Sequence, residues 1–228
     1  MAEAIPPGLP RPHQPRRLAD MPDGLAWFGS VLAFALSMAA TPGPNNAMVA
    51  ASGATWGFRR TLPHLLGVAV GFPLMILAVA LGAGEVLRGA PGVQGALRWV
   101  GAAYLLWLAW KIATARPAAE RDRASGARPG ARPLGFLQAA AFQWVNPKGW
   151  VAALGAIVTY TTAGEAMHGQ SALLAAIFAA VTLPVLVCWT LVGVGAARLL
   201  RSPASLRRFN LAMAGLLVAS LVPLFLEA

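Results

Sequence analysis

The sequence predicts an all-α integral membrane protein of six transmembrane helices in a three-plus-three inverted repeat. The first helix of each half is expected to be broken at a motif of proline, glycine and asparagine. Three observations predict this. Of the 228 residues 57% are hydrophobic and only 11% charged, where soluble domains carry about 25% charged residues. The apolar residues gather into six segments, approximately 25–55, 62–84, 96–112, 134–162, 171–197 and 208–226. The first and fourth are interrupted, by Thr41-Pro42-Gly43-Pro44-Asn45-Asn46 and by Asn146-Pro147-Lys148.

Residues 1–24 hold Pro6, Pro7, Pro10, Pro12, Pro15 and Pro22 with little apolar material, so a disordered tail is expected there. Arg16-Arg17 and the small residues Ala39 and Ala40 imitate a cleaved signal sequence. Apolar character resumes after the break and the pattern recurs at Leu134, which argues against cleavage. Met21 is a second candidate start. Residues 25–228 read as one transporter domain: repeat one at 25–114, a basic loop at 115–133 and repeat two at 134–228.

Each unbroken segment can cross about 30 Å of hydrocarbon at about 1.5 Å per residue. The broken ones are too long for one simple span, and loop charge decides whether they cross. If all six cross, Arg59, Arg60, Lys111, Arg116, Arg121, Arg123, Arg128, Arg132, Arg198, Arg201, Arg207 and Arg208 share one side, against Arg88 and Arg98 on the other. If the broken segments are re-entrant, the split is a near-even eight against six. Short cytoplasmic loops are enriched in Lys and Arg, so crossing is favoured and both termini are expected in the periplasm. Three spans per half insert the second half upside down. Gly67, Gly71, Gly101, Gly193 and Gly195 are expected at close helix contacts.

The breaks carry the chemistry. Proline in mid-helix removes an amide and clashes with the carbonyl four residues back, while glycine accepts conformations others avoid. In hydrocarbon the freed backbone groups need partners, so irregular backbone persists only inside protein or beside a polar cavity. Two interrupted segments at corresponding places in two halves point to the binding site of a secondary transporter. Pro44 and Pro147 suit first helical positions, with Asn146 as a cap. Helix N-termini meeting at mid-membrane suit a carboxylate, and the helix ends before the breaks offer carbonyls to an ammonium group. The candidate substrate-binding residues are therefore Pro42, Gly43, Pro44, Asn45, Asn46, Asn146, Pro147 and Lys148, and a zwitterion such as an amino acid is the matching ligand.

Lys148 is the only charged residue well inside a span, and two readings stand: a carboxylate partner, or a side chain that snorkels or bonds backbone carbonyls of the break. His64 reads as a satisfied interfacial histidine rather than a proton relay. Tyr104, Trp107 and Trp110 read as interfacial or packing aromatics. No Asp or Glu lies inside a span, which argues against a metal site and a divalent-cation exporter and against an intramembrane hydrolase; no cofactor is expected. The net charge of +10 sits in the gaps between apolar runs, so no nucleic-acid partner is expected. Cys188 lies in an apolar run and reads as a small buried hydrophobe.

The run GPNNAMVAASGATWGFRRTLPHLLGVAVG (Gly43 to Gly71), with GAAYLLWLAWKIA (Gly101 to Ala113) and FQWVNPKGW (Phe142 to Trp150), resembles the LysE/RhtB amino-acid exporter family. The resemblance covers nearly all of the chain from about Ala26 onward, and the long tail before Leu25 departs from it. It implies efflux of amino acids or close derivatives across the bacterial inner membrane, driven by the membrane potential or a proton gradient. The third-span stretch is most similar to the branch exporting cysteine and O-acetylserine. The partners implied are a small amino acid and the lipid bilayer, with a homodimer left open. The rival class is a membrane scaffold or assembly protein without transport.

Overall fold

The computed structural model describes residues 24–115, 133–164, 166–200 and 202–222. The expected tail and most of the basic loop lie outside the described residues. Among those described, the ordered elements are all helical.

The first apolar segment forms α1 (Gly24–Ala40) and α2 (Pro44–Trp56), bent by 53° at a break of three residues. Next come α3 (Phe58–Ala78), a π-helical turn (Val79–Ala83) and the short α4 (Gly84–Arg88). Gly82 takes φ 101° inside that turn, a left-handed value that glycine adopts without a Cβ penalty. The third segment is α5 (Pro91–Ala113). The fourth splits into α6 (Phe136–Phe142), a 3₁₀ turn (Gln143–Val145) and α7 (Pro147–Tyr160). The last two segments are α8 (Ala166–Leu199) and α9 (Pro203–Ala219). Both expected breaks are present, and each ends where a proline takes the first position of the next helix.

Among the described residues two stretches are each long and apolar enough to cross a membrane, Phe58–Val86 and Ala166–Leu199, and the bent pair α1–α2 makes a third if its two helices form one span. At 14 residues α7 reaches only about 21 Å, so it needs α6 to span.

The most extensive packing joins α2 to α8, with α3 against α8 and α6, and α5 against α9. Lipid is as apolar as leucine, so these contacts rest on close approach and dispersion. Small residues permit it. A Cβ on Gly53 or Gly193 would collide with the carbonyls of Thr190 and Ala50, locking α2 to α8; Gly67 and Gly71 likewise fit against Phe136 and Ala140 of α6, and Gly101 against Val145. Gly195 is a correction: an added Cβ there would meet nothing within 4 Å, because two residues beyond Gly193 it points about 200° round the helix, away from α2. Cys188 is another, being exposed on the α8 face turned away from these contacts. On α3, Leu62, Leu66, Val70 and Leu74 are exposed at every fourth position, while Thr61, His64, Leu65, Val68, Phe72 and Met75 are buried. This is the pattern of a helix with one face on lipid and one on protein.

Candidate functional site at the meeting of two helix breaks

The first break begins as α1 runs out of partners for its last carbonyls. Asn46, buried in the first turn of α2, supplies them: its Nδ2 donates to Ala39 O at 2.8 Å and to Thr41 O at 3.0 Å. One side-chain amide thus stitches the two half-helices across the bend. Gly43 is fully extended, φ −170° and ψ −175°, so its backbone does not require glycine. Space does. An added Cβ would lie 2.9 Å from Lys148 Cδ and 3.1 Å from Lys148 Nζ.

The second break lends side chains to the first. Asn45 Nδ2 donates to Gln143 Oε1 at 2.9 Å, and Gln143 Nε2 donates to Asn45 Oδ1 at 3.3 Å and to Ala139 O at 2.9 Å. Lys148 Nζ donates to Thr41 O at 2.6 Å. Of the two readings of this lysine, the backbone-carbonyl one describes the structure, and the carbonyl belongs to the opposite break. Asn146 is the N-cap of α7, but its side chain makes no capping bond. Its Oδ1 is buried without a partner among the described residues, so capping by that side chain is a correction.

Between the breaks lies a cavity of about 50 Å³, room for a few waters and well below the roughly 300–1,000 Å³ of small-molecule pockets. Gly43, Pro44, Asn45, Asn146 and Lys148 line it, together with Gln143, Gly149 and Thr182 and the apolar Met38, Val68, Phe72 and Phe178. Of the expected site residues, Pro42 is exposed in the break, Asn46 braces it from behind, and Pro147 opens α7 without lining the cavity. Gln143, Thr182, Phe72 and Phe178 were missed. Gln143 had a readable signal, a polar side chain in an apolar run three residues ahead of Asn146. The lining offers helix N-termini, one ammonium group, amides and a hydroxyl, and no carboxylate. Among the described residues no cluster of His, Cys, Asp or Glu could hold a metal ion.

His64 departs from expectation. It is 1% exposed and both ring nitrogens lack a partner among the described residues. The interfacial reading fails because the lipid-facing stripe of α3 runs through Leu62 and Leu66, which turns position 64 inward. Tyr104 packs on Trp107 and Phe142 at 5.5 and 5.6 Å between centroids, as a packing aromatic should.

Residues 36–226 match the profile of the LysE type translocator family. The chain belongs to this family. Among curated relatives of this translocator, the cysteine/O-acetylserine efflux protein of Salmonella typhimurium is 37% identical over 196 residues, covering 84% of this chain and 94% of that protein. The protein of the same description from Escherichia coli (strain K12) is 36% identical over the same shares. That from Klebsiella pneumoniae is 36% identical over 166 residues, 71% of this chain and 79% of the relative. No solved structure matches the translocator.

Proposed function

We propose that this translocator is a secondary exporter of cysteine, O-acetylserine or similar small zwitterionic amino acids, moving them out of the cytoplasm across the bacterial inner membrane. The observation that carries the reading is the Lys148–Thr41 bond across the two breaks. Each partner is matched to one end of an amino acid. A substrate entering between them gives its carboxylate to the Lys148 ammonium and its ammonium to the freed Thr41 carbonyl, with α2 and α7 presenting their N-termini to the carboxylate. The orphaned Asn146 Oδ1 is a second acceptor for the substrate ammonium. The breaks must part to admit it, so the cavity here is that of a closed state.

The six spans, on this reading, form the inverted repeat. Pro44 and Pro147 open corresponding half-helices; α3 and α8, the second members of each half, carry interior prolines Pro73 and Pro184 and pack on each other. The third members, α5 and α9, also pack together. Both termini face the periplasm, residues 1–24 are a tail and 115–133 a connector. The proton motive force drives the cycle. A scaffold would have no use for a polar cavity at two helix breaks.

The test is export. A strain expressing the translocator is challenged with inhibitory concentrations of amino acids and analogues, and extracellular cysteine and O-acetylserine are quantified. Raised tolerance with raised extracellular substrate is expected; neither change, with the protein abundant in the membrane, overturns the reading. For topology, a reporter active only in the periplasm should work when fused near Met167 and fail near Arg123.

A further inference from the structure

We infer that His64 is the proton-carrying residue of the translocator, an inference that rests on the export reading above. His64 shares the protein-facing stripe of α3 with Val68 and Phe72, both of which line the cavity. One turn separates His64 from Val68, about 6 Å along the axis. Towards the start of the helix the stripe continues to Thr61, whose hydroxyl bonds Ser52 and Gly57 O at 2.9 Å each. Arg59 and Arg60 follow, both at the start of α3. His64 therefore stands between the cavity and the basic end of α3.

Buried polar groups are normally hydrogen-bonded, and one left without partners asks for a reason. Here both nitrogens of an ionisable ring are left so among the described residues. The elements packed on α3 bring little charge to it. On α2, α6 and the two irregular turns there is no ionisable side chain; α7 has Lys148, bonded to Thr41, and Tyr160, whose hydroxyl donates to Ser30 O. On α8 there are His168 near its start, the exposed Cys188 and Arg198 in the last turn. His64 is thus the ionisable group on this path with nothing among the described residues to hold it in one state.

The cycle follows. When the breaks open outward, water reaches the ring through the cavity and an unprotonated nitrogen takes a proton from the periplasmic side. The imidazolium is costly in a dry layer, so it favours the conformation that wets it towards the cytoplasm. There the proton passes to water and the neutral ring permits closure. A proton enters, the substrate leaves, and no covalent bond of the substrate changes.

The experiment uses purified protein in phospholipid vesicles with labelled L-cysteine kept reduced. Exchange of internal label for external cysteine at equal pH reports binding and conformational change. Accumulation into vesicles with an acidic interior reports proton drive, and a trapped pH dye reports substrate-linked proton flow. In His64→Gln, exchange should persist while accumulation and proton flow fall to the level of protein-free vesicles. Accumulation and proton flow as in the wild type would overturn the inference, as would a wild type that exchanges but takes no drive from the gradient. If Gln, Asn and Leu at this position all lose exchange and drive in equal measure while remaining monodisperse, His64 is a packing residue and the inference falls. A wild type that exchanges neither cysteine nor O-acetylserine refutes the export reading itself.

Discussion

The two breaks are built from similar residues and solve the same problem in opposite ways. The first looks after itself: Asn46, two residues into α2, reaches back to the carbonyls that α1 leaves open. The second leaves its own cap residue, Asn146, with an oxygen unpartnered among the described residues; it sends Lys148 across to the first, and Gln143 exchanges hydrogen bonds with Asn45. One break is thus a braced receiver and the other a donor with spare capacity. Spare hydrogen-bonding capacity is what a substrate needs, so the second break should carry most of the ligand chemistry and the first most of the stability.

The strongest way to break this contrast is Lys148→Met, which keeps apolar length and removes the charge. Losing a charge-assisted hydrogen bond costs about 1.5–3 kcal/mol, or roughly ten- to hundred-fold in apparent affinity. That loss is expected in vesicle transport at matched protein amounts. Thermal stability should hold, because removing a charge from a span recovers its insertion cost. Unchanged affinity would move the carboxylate site away from this break.

Next in size is a paired comparison of the two asparagines. Asn46→Ala strips a donor from the Ala39 carbonyl, and leaving a buried polar group unsatisfied costs about 1–3 kcal/mol. A lower melting temperature in detergent is expected. Asn146→Ala removes a side chain without a capping bond, so stability should shift by about 0.5 kcal/mol or less while transport weakens. Equal destabilisation of the two variants would erase the distinction between receiver and donor.

A smaller effect is expected from the amide pair that joins the breaks. In a double-mutant cycle of Asn45→Ala and Gln143→Ala, the coupling energy should be about 0.5–1.5 kcal/mol. Additive losses would mean that the pair does not couple the two half-sites.

What the sequence could announce was local. Pro42, Gly43 and Pro44 fall in three consecutive positions and Pro147 directly follows Asn146, so both breaks and their first helical positions were legible, whereas single prolines such as Pro73 and Pro184 stay inside their helices. What it could not announce was which break serves which. The bonds from Asn45 to Gln143 and from Lys148 to Thr41 join residues 98 and 107 positions apart, and no periodicity encodes such pairs. His64 lies between these cases. The lipid-facing spacing of Leu62, Leu66, Val70 and Leu74 already turned it inward, but whether its nitrogens find partners depends on neighbours from other helices. Gly195 failed similarly: a glycine is visible in sequence, and the backbone it must fit against is not.

The most discriminating prediction concerns Gly43. Its extended φ is open to alanine, so Gly43→Ala introduces no backbone strain, and a fault in folding is not expected. The new Cβ would stand 2.9 Å from Lys148 Cδ, and the flexible lysine chain can yield by leaving its preferred rotamer. Such a shift costs about 0.5–1.5 kcal/mol, or about two- to twelve-fold in apparent affinity, and it moves Nζ off the Thr41 carbonyl. The decisive measurement is the same substitution in the Lys148→Met background. Methionine has no ammonium group to misplace, so the effect of Gly43→Ala on affinity should vanish there, a non-additivity of the size of the single-site loss. A loss that persists undiminished in that background would mean that Gly43 serves the bend of the chain and not the room that Lys148 occupies.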